Sequence, residues 1–230
     1  MLLMILWKMA DSMGRNWPKH RYHPGEAEVI RLRFMALSGK DSTEREFAKA
    51  EDLARAGKHR QAIRDVHKLR GVWHLSRGEH ALAAENFQDA IRMAHEAGFR
   101  DTTSETQLAL ARLHLDQLPA VREEAARLAA ERNPAHLELA ELWLAIGERE
   151  QAALHAEAAY RYAWADGEPY VRRYELDRAK ALLEQLGVEI PALPAYDPAE
   201  HPKFPWEYEI DAVITRLSEL TGPGPQPDET

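Results

Sequence analysis

Polar and apolar positions along this chain show almost none of the strict alternation that is typical of β-strands. Good helix formers dominate instead, chiefly Ala, Leu, Glu and Arg. Glycine or proline interrupts the pattern at regular intervals and leaves segments of roughly 12–19 residues between short turns. The pattern therefore predicts an all-α protein. The predicted helices span 24–37, 42–56, 59–76, 79–97, 102–116, 119–131, 135–146, 149–165, 169–186 and 205–220.

Several of these segments begin or end with residues suited to helix termini. Ser42 or Thr43 can cap the helix that follows, with Glu46 close to a capping-box position. Asp101 precedes another helix start, and Gly98 occupies a position where a C-terminal glycine cap is expected. These signals support the predicted boundaries.

Three glycine turns share one residue pattern. Each glycine is followed by Ala at the fifth position and by small or apolar residues at the ninth and twelfth. The three units are Gly57-His59-Ala62-Val66-Leu69, Gly78-His80-Ala83-Phe87-Ala90 and Gly147-Arg149-Ala152-Ala156-Ala159. Antiparallel helices pack closely only where small side chains lie at their crossing. The repetition predicts stacked helix pairs.

The second unit carries a family resemblance. Gly71 lies where the tetratricopeptide repeat family has a small residue in its first helix, and Ala83, Phe87 and Ala90 match positions in its second helix. The chain resembles that family over about residues 42–186, although the first two turns are 21 residues apart rather than about 34. The third unit also departs from the family, with Ala156 where an aromatic residue is usual. The resemblance implies a right-handed αα superhelix, a solenoid whose curved face suits an extended peptide or a helix.

The remaining chain divides into segments of different composition. N-terminal helices are predicted over 1–41 and repeats over 42–187. A proline-rich strap over 188–204 follows, because five prolines in 188–205 exclude a helix there while apolar side chains allow packing along the stack. We predict a C-terminal helix over 205–220 and a disordered tail over 221–230.

The first seven residues form an apolar run that is far shorter than the ~20 residues of a membrane span. Lys8 follows this run, whereas a signal peptide has its positive charge before it. We interpret the run as a buried helix; a self-association helix that forms a homo-oligomer, or a segment cut from a larger chain, are the alternatives. The chain has no cysteine, and its composition fits a reducing cytoplasm.

Charge is unevenly distributed. Residues 1–100 carry 18 Lys and Arg against 13 Asp and Glu, and residues 101–230 carry 12 against 25, so the balances are +5 and −13. This asymmetry favours charge-steered protein contacts and disfavours a dedicated nucleic-acid binder. Arg60, Arg64 and Lys68 share one helix face, with His67 beside them. This basic stripe is a solvated face, a site for an acidic peptide or the chain's own acidic half, or a nucleic-acid contact.

A second candidate contact is the cluster of Tyr170, Arg172, Arg173 and Tyr174, because Tyr and Arg are typical binding anchors. The run 165–174 and its proline-rich sequel resemble the C-terminal end of repeat regions in bacterial STAND-type signalling ATPases. In those proteins the repeats act as a sensor or scaffold beside a nucleotide-binding core. That core is not in this sequence, since residues 38–42 lack the spacing of a phosphate loop.

No motif for catalysis or metal binding emerges from the sequence. The histidines lack zinc spacing, and no HExxH occurs. Carboxylate pairs such as Glu138 and Glu141 lie among arginines, so we interpret them as solvated helix faces with i,i+4 ion pairs. We expect no enzyme, no cofactor and no metal.

The sequence therefore favours a cytoplasmic protein-interaction scaffold or sensor module, possessing no membrane segment and binding a protein or peptide on the solenoid surface. Bacterial signalling or defence is the expected context. A peptide-sensing regulator is the first alternative, and it predicts a deep pocket lined with Asn and Arg, although only Asn86 and Asn133 lie in the repeats. An RNA-binding repeat protein is the second alternative, and an enzyme the third.

Overall fold

A computed structural model describes residues 24–37, 42–115, 117–165, 167, 171–194, 212, 215 and 216. Within residues 24–194 it contains nine helices and, over the same described residues, no strand. The helices are α1 (Pro24–Leu37), α2 (Glu44–Ala56), α3 (Arg60–Ser76), α4 (His80–Glu96), α5 (Thr102–Leu113), α6 (Leu118–Ala129), α7 (His136–Ile146), α8 (Arg149–Trp164) and α9 (Arg173–Leu186).

These nine helices lie at the predicted places, with ends that differ from the predicted ones by at most four residues. The predicted all-α class is confirmed. Residues 212, 215 and 216, inside the predicted helix 205–220, are helical. The predictions for residues 1–23, for most of the strap and for the tail 221–230 lie outside the described residues.

The helices form two layers. Connections of a few residues make consecutive helices antiparallel, and each helix packs against the next. Further contacts join α1 to α3, α3 to α5, α5 to α7 and α7 to α9. The odd-numbered helices thus form one continuous layer, which we call the odd-numbered layer. The second layer consists of α2, α4, α6 and α8. This arrangement is compatible with a helical-repeat solenoid.

The helices that carry the three glycine units explain why these units are unevenly spaced along the sequence. Ala83 and Phe87 on α4, and Ala152 and Ala156 on α8, are at most 1% exposed. The unit that follows Gly57, however, lies on α3, an odd-numbered helix. The interval of 21 residues is therefore one helix step, whereas α4 and α8 are two helix pairs apart.

The closest approach of α3 and α4 is between Gly71 and Phe87. A Cβ atom placed on Gly71 would lie 2.7 Å from the Phe87 ring, closer than real contacts allow. Phe87 is 1% exposed and packs with Ala83 and Leu108, so its ring has little room to move. The small residue that the sequence places at position 71 is required by this contact.

Local turn chemistry is partly as predicted. Thr43 donates its backbone N–H to Glu46 Oε2 at 2.9 Å, which gives the expected capping interaction at the start of α2. Gly187 ends α9 with φ +70°, in the left-handed region. At the α2–α3 turn Gly57 has φ −76°, and Lys58 takes the left-handed conformation with φ 54°. The glycine there does not carry the turn.

Residues 188–194 continue from α9 without helical structure. Val188, Ile190 and Leu193 are partly buried against the core cluster that joins α5 to α9. The described start of the proline-rich segment therefore packs on the helices.

We expect Gly71→Ala to destabilise the protein by about 1–3 kcal/mol, because overpacking against Phe87 outweighs the better helix propensity of alanine. Urea denaturation measures the loss. Phe87→Leu shortens the opposing side chain, so the double variant should lose less than the sum of the two single losses. Additive losses would show that the two residues do not oppose each other.

Candidate binding groove

The odd-numbered layer forms a groove of about 620 Å³ that runs across all five of its helices. We call it the inter-helix groove. Its lining comes from α1 (Arg33), α3 (Asp65, Lys68, Leu69, Val72, Leu75, Ser76), α5 (Thr103, Ser104, Gln107, Leu110), α7 (Glu138, Glu141) and α9 (Tyr174, Glu175, Arg178). Its five-helix lining follows directly from the two-layer packing.

One wall of the groove is apolar. Leu69, Val72 and Leu75 of α3 and Leu110 of α5 line it together. Leu69 also packs against the core cluster that contains the fully buried Val66. Val72 is 44% exposed. The apolar surface of α3 thus extends from the core to Val72, which remains open in the groove.

The floor of the groove contains a buried amide. Gln107 of α5 is 8% exposed. Among the residues that the structure describes, no hydrogen bond is formed by its side chain. An amide offers both donors and an acceptor, so it can pair with a peptide unit or with another polar group. Gln107 is consequently a group that a ligand in the groove could satisfy.

A second cavity, the side cavity, adjoins the groove and has a volume of about 630 Å³. It is bounded by residues 132–138, by Tyr162 of α8 and by Arg172. Thr103, Glu138 and Glu175 line both spaces. These three residues mark the junction of the groove and the side cavity.

Two cations of the groove are held by carboxylates of the protein. Lys68 Nζ lies 3.0 Å from Asp101 Oδ2, and Arg178 forms an ion pair with Glu141. Burial raises the pKa of Asp101, but Lys68 and the Ser104 backbone N–H outweigh it, so the net pKa is lowered. Lys68 therefore stabilises the N-cap of α5.

Glu138 is different. It forms no ion pair with any residue that the structure describes. Burial raises its pKa, and Glu141 raises it further, whereas a hydrogen bond from the residue's own backbone, Arg178 and Lys68 act against this shift without cancelling it. The sequence prediction that Glu138 and Glu141 form solvated faces with i,i+4 pairs is corrected here. Glu141 pairs with Arg178 of α9, and Glu138 faces the groove.

The basic stripe is engaged within the chain. Arg60 Nη2 lies 2.5 Å from Glu96 Oε2, and Arg64 contacts Asp65 at 2.8 Å. The Arg64 guanidinium also lies over the Phe99 ring, 4.9 Å from its centroid. These partners lie on α3 itself, at the end of α4 and in the α4–α5 connection. Lys68 is the member of the basic stripe that lines the groove, whereas Arg60 and Arg64 are not part of the lining.

His67, the fourth predicted residue of the stripe, is buried. Its Nδ1 lies 3.3 Å from Asn86 Oδ1 of α4. Its side chain is 10% exposed. The contact joins α3 to α4 on the side away from the groove lining.

The second predicted cluster converges in part on the groove. Tyr174 lines it and is 44% exposed, with Arg178 over its ring at 5.4 Å. Arg172 lines the side cavity, and its guanidinium lies 4.4 Å from the centroid of Tyr162. Arg173 begins α9. Tyr170 lies outside the described residues.

The sequence did not single out Gln107 or Val72. The available signal was the three-residue spacing of Leu69, Val72 and Leu75, which widens the apolar surface of α3 beyond its fully buried residues. Gln107 stands in a helix without any motif, so its burial follows from tertiary packing alone.

Two histidines lie in contact beside the side cavity. His136 Nδ1 at the start of α7 is 2.9 Å from His155 Nδ1 of α8. Burial lowers the pKa of both rings, and for His155 the neighbouring His136 lowers it further, to about 4. One ring donates and the other accepts, which requires the accepting ring to be neutral.

Over the described part of the chain, no group of three or more potential metal ligands occurs, and no helix there is long and apolar enough to cross a membrane. Comparison with protein-family models, curated proteins and solved structures found no match to this chain. The function of the chain is therefore inferred from the geometry of the groove.

We expect Lys68→Met to reduce stability by about 1–3 kcal/mol, because the buried Asp101 loses its cation. Thermal and urea denaturation measure this change. Lys180→Met is the matched control, since Lys180 is half exposed and lies 3.9 Å from Glu184, and it should change stability by less than about 0.5 kcal/mol. Equal losses in both variants would contradict the structural role of Lys68.

Stability should fall as the pH is lowered from 7 to 5, by about 1–2 kcal/mol from His155. The unfolded histidine titrates near 6.5 and the folded one at about 4, so between these values the unfolded state binds more protons. Urea titrations of His155→Gln should show a flatter pH dependence. His95→Gln, at an exposed position, should keep the wild-type slope.

Proposed function

We propose that this chain is a protein-interaction scaffold or sensor module, built as a right-handed tetratricopeptide-like solenoid, which binds a segment of a partner protein in the inter-helix groove. The observation that carries the proposal is the continuous lining of that groove by all five odd-numbered helices. Neighbouring packed helices are ~9 Å apart, so five helices present a surface about 36 Å long. An extended segment of about 11 residues spans that length.

The chemistry of the lining also suits a peptide. Val72 and Tyr174 offer exposed apolar and aromatic surface, and Tyr is a frequent anchor in interfaces. The amide of Gln107 complements a peptide unit, which likewise has one donor and one acceptor. A segment laid across the helices can satisfy the apolar wall and the buried amide together.

A peptide-sensing regulator is the second candidate, and one observation favours it. Asn133, Arg132 and Arg172 line the side cavity, which is the combination of side chains expected for a short peptide ligand. Asn86 lies elsewhere, where it contacts His67 and the Leu82 carbonyl. We place the scaffold first because the groove engages more helices than the side cavity does.

The proposed setting is bacterial signalling or defence in the cytoplasm. Its support is the resemblance of residues 165–174 to the ends of STAND-type repeat regions, in which helical repeats serve as sensors or scaffolds. In that setting the groove would receive the partner that the signalling assembly recognises.

The test compares two exposed apolar residues on opposite layers. Val72→Glu places a charge on the groove wall, whereas Leu154→Glu changes a 61% exposed residue of α8. Affinity purification from native cells, read by mass spectrometry, should show partners with wild type and Leu154→Glu. Their recovery with Val72→Glu should fall at least about tenfold, since burying an unpaired charge opposes binding.

Circular dichroism and thermal melting control for folding of both variants. Partners that Val72→Glu recovers at wild-type levels would contradict binding in the inter-helix groove.

A further inference from the structure

The charges left unpaired in the inter-helix groove are distributed along its length. This inference rests on the proposed function and concerns the chemistry of the partner segment. Lys68, Arg178 and Asp65 of the groove each form an ion pair within the protein. Two groove carboxylates, Glu138 and Glu175, form no ion pair with the described residues, and both lie at the α7–α9 end. The α1 end of the groove contributes an arginine.

The first turn of a helix explains part of this placement. Glu138 and Glu175 lie in the first turns of α7 and α9, where the helix macrodipole favours an anion. That interaction alone would lower the pKa of Glu138. Burial instead raises it, so Glu138 occupies a place where its ionised form is disfavoured. A cation supplied by a ligand would relieve that cost.

Gln107 is the independent sign that the same space receives a ligand. Gln107 is more than nine-tenths buried and lines the groove, and its amide forms no hydrogen bond with the described residues. Helix α5, which carries it, lies between α3 with the apolar wall and α7 with Glu138. A segment crossing from the wall to the carboxylates passes over this amide.

Other charged groups face the same junction. Arg172 and Arg132 line the side cavity that shares Glu138 and Glu175 with the groove. The Arg172 guanidinium is stacked on Tyr162, and neither arginine forms an ion pair with the two carboxylates. The junction therefore retains two acceptor groups for a cationic side chain.

We propose that the partner segment places a Lys or Arg side chain between Glu138 and Glu175 and an apolar side chain on the wall formed by Leu69, Val72 and Leu110. The wall and the carboxylates are one to three helix spacings apart, ~9–27 Å. In an extended segment the two side chains are separated by roughly three to eight residues. The partner is thus a basic, apolar segment of another protein.

The experiment selects peptides from a random displayed library on the full chain. We expect enrichment of Lys or Arg at roughly three to eight residues from a bulky apolar residue. The selected peptide should lose at least about tenfold in affinity when its Lys is replaced by Gln, and the same loss should follow in Glu138→Gln/Glu175→Gln. When the changed peptide is measured on the changed protein, the affinity should fall no further than with either change alone, because both remove the same contact.

Glu85→Gln/Glu150→Gln is the matched control, since it removes two exposed carboxylates from α4 and α8 and should leave the affinity unchanged. Acidic or uncharged selected peptides, or losses that add independently, would overturn this inference and leave the proposed function standing. A selection that enriches no peptide would overturn both. Sedimentation equilibrium adds one outcome: a dimer abolished by Glu138→Gln/Glu175→Gln would make a second copy the occupant and overturn a separate partner.

Discussion

Close approach of helices at positions without bulky side chains is the constraint on which this structure depends. Gly71 lets α3 approach the Phe87 ring of α4, and alanines such as Ala152 and Ala156 are fully buried where α8 packs. Such crossings bury much of each helix with few large residues. Part of the odd-numbered layer, including the exposed Val72, is left outside that packing, and this is why a groove can form there.

The groove contains groups that do not serve stability. An exposed apolar side chain at Val72, an amide at Gln107 without a hydrogen bond to the described residues and a partly buried carboxylate at Glu138 with a raised pKa all line it. Their coincidence on one face is informative, because a surface under no functional constraint would be expected to pair or expose such groups. This coincidence supports binding more strongly than the volume of the groove does.

Local signals were enough to predict the helices, and tertiary pairing limited the site. Breakers and helix formers act over a few residues, so nine helices lie where expected. The alanine spacing after Gly57 predicted an equivalent unit, yet it lies on α3 in the other layer, because both helices of a pair need small residues at their crossing. Lys68 and Tyr174, which the sequence singled out as contact candidates, line the groove. Glu138 was not, since an acidic side chain facing solvent and one facing a groove have the same local sequence.

Charge shows why local pairing has to be resolved before a partner can be inferred. The basic stripe of the first 100 residues is neutralised by Glu96, Asp65 and Asp101, so its positive balance is not all offered to a ligand. The later part of the chain keeps a balance of −13, and Glu138 and Glu175 belong to it. The long-range electrostatic attraction of this acidic part and the two carboxylates of the groove therefore both favour a positively charged partner. A cationic segment would be steered by the whole acidic part of the chain and held by two of its carboxylates.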